Sequence, residues 1–143
     1  IWHGTPVEKA VEAYKEERAR PSHERWGGLN GGEAVSDFVR RINNDCSHFL
    51  SENGYDKVSN GLPVWTHGKT LEKHIAFVAH AGTNSVVICH LLGLEPTPWE
   101  WERFVLGHAS ISEVEPLALS DGLTFSLTRL SGVEHLPQSH RTV

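Results

Sequence analysis

The feature that most constrains the fold of this 143-residue chain is a short apolar run that leads directly into a His-Ala-Gly-Thr turn. Residues 75–79 are apolar in succession without alternation, which is typical of a strand buried on both faces. Residues 84–92, after the turn, are apolar enough for a buried helix, and Gly93 ends it. A buried strand followed at once by a helix indicates an α/β fold.

Apolar residues at helical spacing predict two helices in the first part of the chain. One helix runs from Thr5 to about Arg20, with Thr5 as its capping residue and Pro6 at its first position. The other spans 33–52, where apolar residues recur at every third or fourth position. Residues 21–32 contain four glycines and predict a loop between the two helices.

Turn signals organise the second half of the chain. Residues 111–119 and 123–130 flank Ser120-Asp121-Gly122, a turn typical of a β-hairpin. Pro116 predicts that the first strand either lies at a sheet edge or breaks there, because proline cannot donate to the hydrogen-bond ladder. Weak periodicity predicts a loop at 55–72, and the polar residues from 137 onward predict a disordered tail.

Charge and composition exclude several kinds of partner. The net charge is −5 and the isoelectric point is near 6.0, so there is no basic field for nucleic acid or an anionic membrane. The chain has no stretch of about 20 apolar residues and no signal peptide, so we expect a cytoplasmic protein.

Cys46 and Cys89 have apolar neighbours and are expected to be buried thiols. The chain begins at Ile1 and contains no methionine, so we expect that it is truncated or processed.

The turn after the apolar run is the candidate site. Ligands of open α/β sheets bind at the carboxyl ends of strands, where the next helix presents free backbone N–H groups. Such a site suits a phosphoryl group. His80 would donate to a phosphoryl oxygen, Gly82 would let the backbone approach, and Thr83 would cap the helix and offer its hydroxyl. The alternative is that His80 only hydrogen-bonds to the start of the helix. The ten histidines form no HExxH or His-x-His pattern, so no metal site is expected.

The same residues resemble a known family. The strand-turn-helix unit is similar to the second signature of the histidine phosphatase superfamily (phosphoglycerate-mutase-like), in which an apolar strand ends in His-Gly-Gly and a helix closes with Leu-Leu-Gly-Leu. Three further segments resemble family motifs in the same order along about 1–136. The matching segments are Phe77-Val78-Ala79-His80-Ala81-Gly82-Thr83, Leu91-Leu92-Gly93-Leu94, Gly32-Glu33-Ala34, Ala109-Ser110-Ile111-Ser112 and Trp2-His3-Gly4-Thr5.

The resemblance implies a three-layer α/β sandwich with a mostly parallel sheet, whose N-terminal strand and helix would precede Ile1. Residues 1–136 would then form part of a histidine phosphatase domain. Within it, 1–32 would be a cap or insert region and 33–136 the C-terminal α/β part, followed by a polar tail at 137–143.

The resemblance also implies a mechanism. In this family an Arg-His-Gly histidine takes the phosphoryl group, two arginines and a second histidine clamp it, and an acid protonates the leaving oxygen. The second histidine maps onto His80, and Gly82 and Thr83 would bind the substrate. Glu33 is a candidate substrate-facing carboxylate, with simple stabilisation of a helix start as the alternative. Arg-His-Gly does not occur in these residues and would lie upstream of Ile1.

The implied function is phosphoryl transfer through a phosphohistidine. Of the two enzyme classes in the family, a phosphomonoester phosphatase is favoured over a mutase. No cofactor and no metal are expected. The expected ligand is a small phosphorylated substrate or inorganic phosphate, and a homodimer is left open. The alternative is a catalytically inactive, truncated domain that binds anions or has a regulatory role.

Overall fold

Helices dominate the first two thirds of the chain and a long β-hairpin the last third. The computed structural model describes residues 3–58, 61–68 and 74–142. The elements, in chain order, are α1 (Val7–Arg18), a 3₁₀ helix (Ser22–Gly27), α2 (Val35–Glu52), β1 (Tyr55–Lys57), β2 (Trp65–His67), α3 (Ala81–Leu91), α4 (Glu100–Arg103), β3 (Ile111–Leu119), β4 (Gly122–Gly132) and a second 3₁₀ helix (Gln138–His140).

The four described strands form one antiparallel sheet in the order β1-β2-β4-β3. The α/β class is therefore confirmed, but the mostly parallel sheet is wrong for the described residues. The physical reason is local, since the two-residue turn Ser120-Asp121 reverses the chain at once and leaves β3 and β4 antiparallel. β2 joins this hairpin through the pair Trp65 and Leu123. β3 lies at the edge of the sheet and continues through Pro116, so the edge-strand alternative is confirmed and the break is not.

The strand predicted at 75–79 is not formed. This segment has no regular secondary structure, and its side chains are exposed, with Val78 99% accessible. A strand needs a neighbour to pair its backbone groups, and the described strands pair with one another instead. The Phe77 ring makes a T-shaped contact with Phe49 of α2, with 4.9 Å between the ring centroids. His80 therefore does not end a sheet strand.

α2 and α3 run parallel to each other, and both pack against strands of the sheet. Near their starts, Phe38 of α2 lies next to Gly82 of α3, with Phe38 Cζ 3.9 Å from a Cβ built on Gly82. Near their ends, Leu50 and Leu91 share a core cluster with the paired sheet residues Trp65 and Leu123. Of the described helices, α2 and α3 alone make extensive contacts with strands. α2 and α3 thus form the helical packing on the sheet in the described part of the chain, and the three-layer arrangement stays a prediction.

The helical periodicity of α2 is confirmed, and two neighbouring predictions are wrong. The buried positions of α2 follow the predicted spacing, at Val35, Val39, Ile42, Cys46 and Leu50. The first residue of α1 is Val7, and Pro6 takes the capping position with extended backbone and without a side-chain hydrogen bond, so Thr5 does not cap. The predicted loop at 55–72 contains β1 and β2.

The polar tail is not disordered where it is described. Residues Gln138–His140 form a 3₁₀ turn, and the Thr142 hydroxyl lies 3.1 Å from the backbone nitrogen of His108. None of the described helices is both long enough and apolar enough to cross a membrane.

Candidate functional site

The start of α3 combines an exposed imidazole with free backbone N–H groups. His80 precedes the helix with extended backbone (φ −71°, ψ 155°), and its carbonyl accepts the first helical bond from the Asn84 nitrogen at 3.0 Å. The N–H groups of the three residues between them, Ala81, Gly82 and Thr83, have no acceptor within the helix. The His80 side chain makes no capping hydrogen bond. It therefore stays available beside three donors, an arrangement that suits a phosphoryl group.

Gly82 and Thr83 both lie in the first turn of α3. Thr83 is the third residue of α3 rather than its cap, so the predicted capping role is wrong. A Cβ built on Gly82 would lie 3.8 Å from Trp101 Cε3 and 3.9 Å from Phe38 Cζ, which is ordinary contact. Phe38 of α2 and Trp101 of α4 therefore both lie next to Gly82, on the side where a Cβ would be, and together they hold the turn in place.

Glu33 is paired with an arginine. Arg41 Nε donates to Glu33 Oε1 at 3.0 Å, and Arg41 Nη2 donates to Oε2 at 2.7 Å. These bonds lower the pKa of Glu33, so its carboxylate is ionised at neutral pH. The Arg41 guanidinium lies 5.5 Å from the centre of the Phe38 ring, which in turn faces Gly82. Glu33 is thus connected to the α3 start through Arg41 and Phe38.

Ser85 anchors the first turn of α3. It is fully buried, and its hydroxyl lies 2.7 Å from the Ala81 carbonyl and 3.1 Å from the Phe104 carbonyl. The side-chain amide of Asn84 donates to the Ala79 carbonyl at 3.3 Å, which ties the segment before His80 to the helix. Sequence reasoning missed both residues, because a serine or asparagine on an apolar helix gives no signal of its acceptor.

A buried ion-pair network joins α1, the first 3₁₀ helix and α4. Arg25 donates to both Glu17 carboxylate oxygens, at 2.8 and 3.2 Å, and to Glu102 Oε1 at 2.8 Å. Arg18 Nε reaches the same Glu102 oxygen at 3.1 Å. The two carboxylates raise the pKa of Arg25, and Arg25 is the main cause that lowers the pKa of Glu102. Since α4 also carries Trp101, the network fixes a helix that packs against Gly82.

The remaining titratable groups do not extend the site. Within the described ranges, no group of three or more His, Cys, Asp or Glu side chains is placed to hold a metal ion. Both thiols are buried as predicted, and burial raises the pKa of Cys46 and of Cys89 to about 11.

One comparison with known proteins gives a match. The family model of the histidine phosphatase superfamily (branch 1) matches residues 1–118. No curated protein and no solved structure matches the chain.

Proposed function

Because this chain belongs to the histidine phosphatase superfamily, we propose that it takes part in phosphoryl transfer at the start of α3, in a phosphomonoester phosphatase. Membership of that superfamily supports an enzymatic role in phosphoryl chemistry. The observation that carries the proposal is the position of His80, directly before three N–H groups of the first turn of α3. The ligand is a small phosphorylated substrate or inorganic phosphate.

The proposed chemistry uses the α3 start as a clamp on the phosphoryl oxygens. One oxygen accepts from the backbone N–H groups of Ala81, Gly82 and Thr83, and a second accepts from the His80 imidazole. A phosphoacceptor histidine outside these 143 residues attacks phosphorus, the ester P–O bond breaks, and the leaving oxygen takes a proton. Water then attacks the phosphohistidine and releases inorganic phosphate. Donors that are already in place where negative charge develops lower the barrier without further reorganisation.

Glu33 acts in this proposal through Arg41. The bidentate pair holds the guanidinium across the Phe38 ring that contacts Gly82. A phosphorylated ligand at the α3 start competes with Glu33 for that guanidinium, because both offer oxygen pairs of similar geometry. Both partners are exposed, so the pair itself adds little stability and can exchange at low cost.

Replacing His80 with alanine tests the proposal. In a protein that joins this chain to its Arg-His-Gly segment, we expect turnover of p-nitrophenyl phosphate to fall about 100- to 1,000-fold, the usual effect of removing one preorganised donor. The matched control is His48→Ala, because His48 is an exposed histidine on α2 whose one ion pair among the described residues is with Glu52. Turnover that is unchanged in His80→Ala would remove His80 from the mechanism.

A second candidate function is anion binding without catalysis. The exposed, unpaired segment 75–79 favours it, because His80 is then not held at the end of a sheet strand. Calorimetric titration of the 143-residue chain with inorganic phosphate separates the two functions. Binding without turnover, lost in His80→Ala and kept in His48→Ala, supports the anion-binding module.

A further inference from the structure

The larger apolar side chains of α1 face outward. They form an exposed stripe at helical spacing, made of Val7, Val11 and Tyr14. The inward face has two half-buried alanines, Ala10 and Ala13, and the buried carboxylate of Glu17. Among the described residues, no other helix or strand makes extensive contacts with α1. Burial of apolar surface therefore contributes little to holding α1 in place, although most surface helices depend on it.

Ion pairs hold the last turn of α1 instead. Both carboxylate oxygens of Glu17 accept from the buried Arg25 guanidinium, at 2.8 and 3.2 Å. The next residue, Arg18, donates from its Nε to Glu102 of α4 at 3.1 Å. Hydrogen bonds between charged groups are about twice as strong as those between neutral groups. Since Glu17 and Arg18 are the last two residues of α1, both attachments lie at one end of the helix.

The groups to which α1 is attached are also held without it. Arg25 donates to Glu102 at 2.8 Å, which joins the first 3₁₀ helix directly to α4. Just beyond α1, Arg20 Nη1 donates to the Gly28 carbonyl at 2.7 Å and fixes the chain there. Detachment of α1 therefore breaks its two ion-pair attachments and exposes little apolar surface. Such an opening costs less free energy than unfolding the core.

A detached α1 does not remain helical on its own. It has 12 residues, and isolated helices of that length are marginal in water. We propose that α1 is a detachable helix: its two ion-pair attachments keep it closed, and it opens and unfolds as a unit while α2, α3 and the sheet stay folded. Opening exposes the Arg25 guanidinium on the side that Glu17 occupies in the closed state. This conformational change is separate from the proposed phosphoryl transfer.

Hydrogen exchange of the 143-residue chain, measured by NMR at several urea concentrations below the unfolding transition, tests the proposal. After correction for intrinsic rates, α1 amides should exchange at least tenfold faster than the slowest amides of α3. The opening free energy of α1 should change much less with urea than that of α3, because detachment exposes less surface than global unfolding. If both helices have the same opening free energy and the same dependence on urea, α1 unfolds only with the core and the proposal is wrong.

Replacing Glu17 with glutamine tests the control by the ion pair. The variant keeps the size of the side chain and removes its charge, so α1 amides should exchange about 10- to 100-fold faster, the usual effect of losing a hydrogen bond between charged groups. The matched control is Glu16→Gln, which removes the same charge from the exposed neighbour on the same helix and should exchange as the unchanged chain does. Equal exchange in the two variants would overturn the role of the Glu17–Arg25 pair.

A core substitution tests whether α1 opens alone. Ile88 of α3 is buried, and Ile88→Val should speed exchange of the slowest α3 amides about 2- to 10-fold through the loss of one methylene. Exchange of α1 amides should not change, because the core stays folded when α1 opens. An equal acceleration of α1 in Ile88→Val would mean that α1 and the core open together, which contradicts the proposal. None of these readouts depends on phosphatase activity, so the two proposals succeed or fail separately.

Discussion

Replacing Trp65 with alanine is expected to lower the free energy of unfolding by about 3–5 kcal/mol. Trp65 is 2% exposed and lies in the core cluster that joins α2, α3 and the sheet. Its ring contacts Phe125 with 5.0 Å between centroids. Its backbone pairs with Lys57 on one side and Leu123 on the other, so β1 and β2 reach the hairpin through it. Alanine would leave a cavity in the core cluster, at the point where β2 joins β1 to the hairpin.

Urea denaturation followed by circular dichroism measures this loss. Thr66→Ser is the matched control, because Thr66 is the exposed neighbour on the same strand and serine keeps the hydroxyl that donates to the Asp56 carbonyl. The control should stay within about 0.5 kcal/mol of the unchanged chain. A Trp65→Ala variant within 1 kcal/mol of the unchanged chain, with about the same slope against urea, would contradict the packing described for this core.

Replacing Arg25 with methionine is expected to destabilise the chain by about 3–5 kcal/mol. The variant removes the guanidinium from the buried pair and leaves the Glu17 carboxylate, whose side chain is 6% exposed, without its cation. An uncompensated buried charge costs more than the intact pair contributes. The double variant Arg25→Met with Glu17→Leu removes both charges and should recover most of the loss. A double variant that is no more stable than Arg25→Met would contradict this explanation.

The same network predicts a dependence on pH. Arg25 lowers the folded-state pKa of Glu102, so this carboxylate contributes stability above its ordinary pKa of about 4.3. That contribution is lost as the pH falls through the lowered value. Thermal unfolding midpoints measured from pH 6 down to pH 2 should therefore fall less steeply in Arg25→Met than in the unchanged chain. Equal slopes would mean that the Arg25–Glu102 contact does not form in solution.

The parts of the fold that the sequence predicts correctly are those determined by local contacts. α2 is recognised because 18 residues repeat one apolar spacing, and the hairpin because its turn joins strands that follow each other. β1 and β2 have three residues each and are held by the distant pair Trp65 and Leu123, so no local pattern marks them. The apolar run at 75–79 has the composition of a buried strand but no strand partner among the described residues.

In the candidate site, too, the features set by local contacts can be predicted from the sequence and those set by long-range contacts cannot. The position of His80 before a helix can be predicted, because the turn and the helix are adjacent in sequence. The pairing of Arg25 with Glu102 joins residues 77 positions apart, and charge alone gives no indication of which partner is chosen. Glu17 is a glutamate, a residue type that is mostly exposed in folded proteins, yet it is 5% exposed. The buried Asn43 Oδ1 atom, which has no hydrogen-bond partner among the described residues, likewise becomes visible only in three dimensions.

The parallel course of α2 and α3 also determines the electric field around His80. Each helix carries a macrodipole equivalent to about half a positive charge at its first turn, and both first turns lie at the same end of the molecule. The chain as a whole carries a charge of −5, so an approaching anion is repelled at long range. Salt at 0.1 M shortens the Debye length to about 10 Å and weakens that distant repulsion more than the attraction at contact. A phosphorylated ligand therefore meets a favourable field only within a few ångströms of the two helix starts.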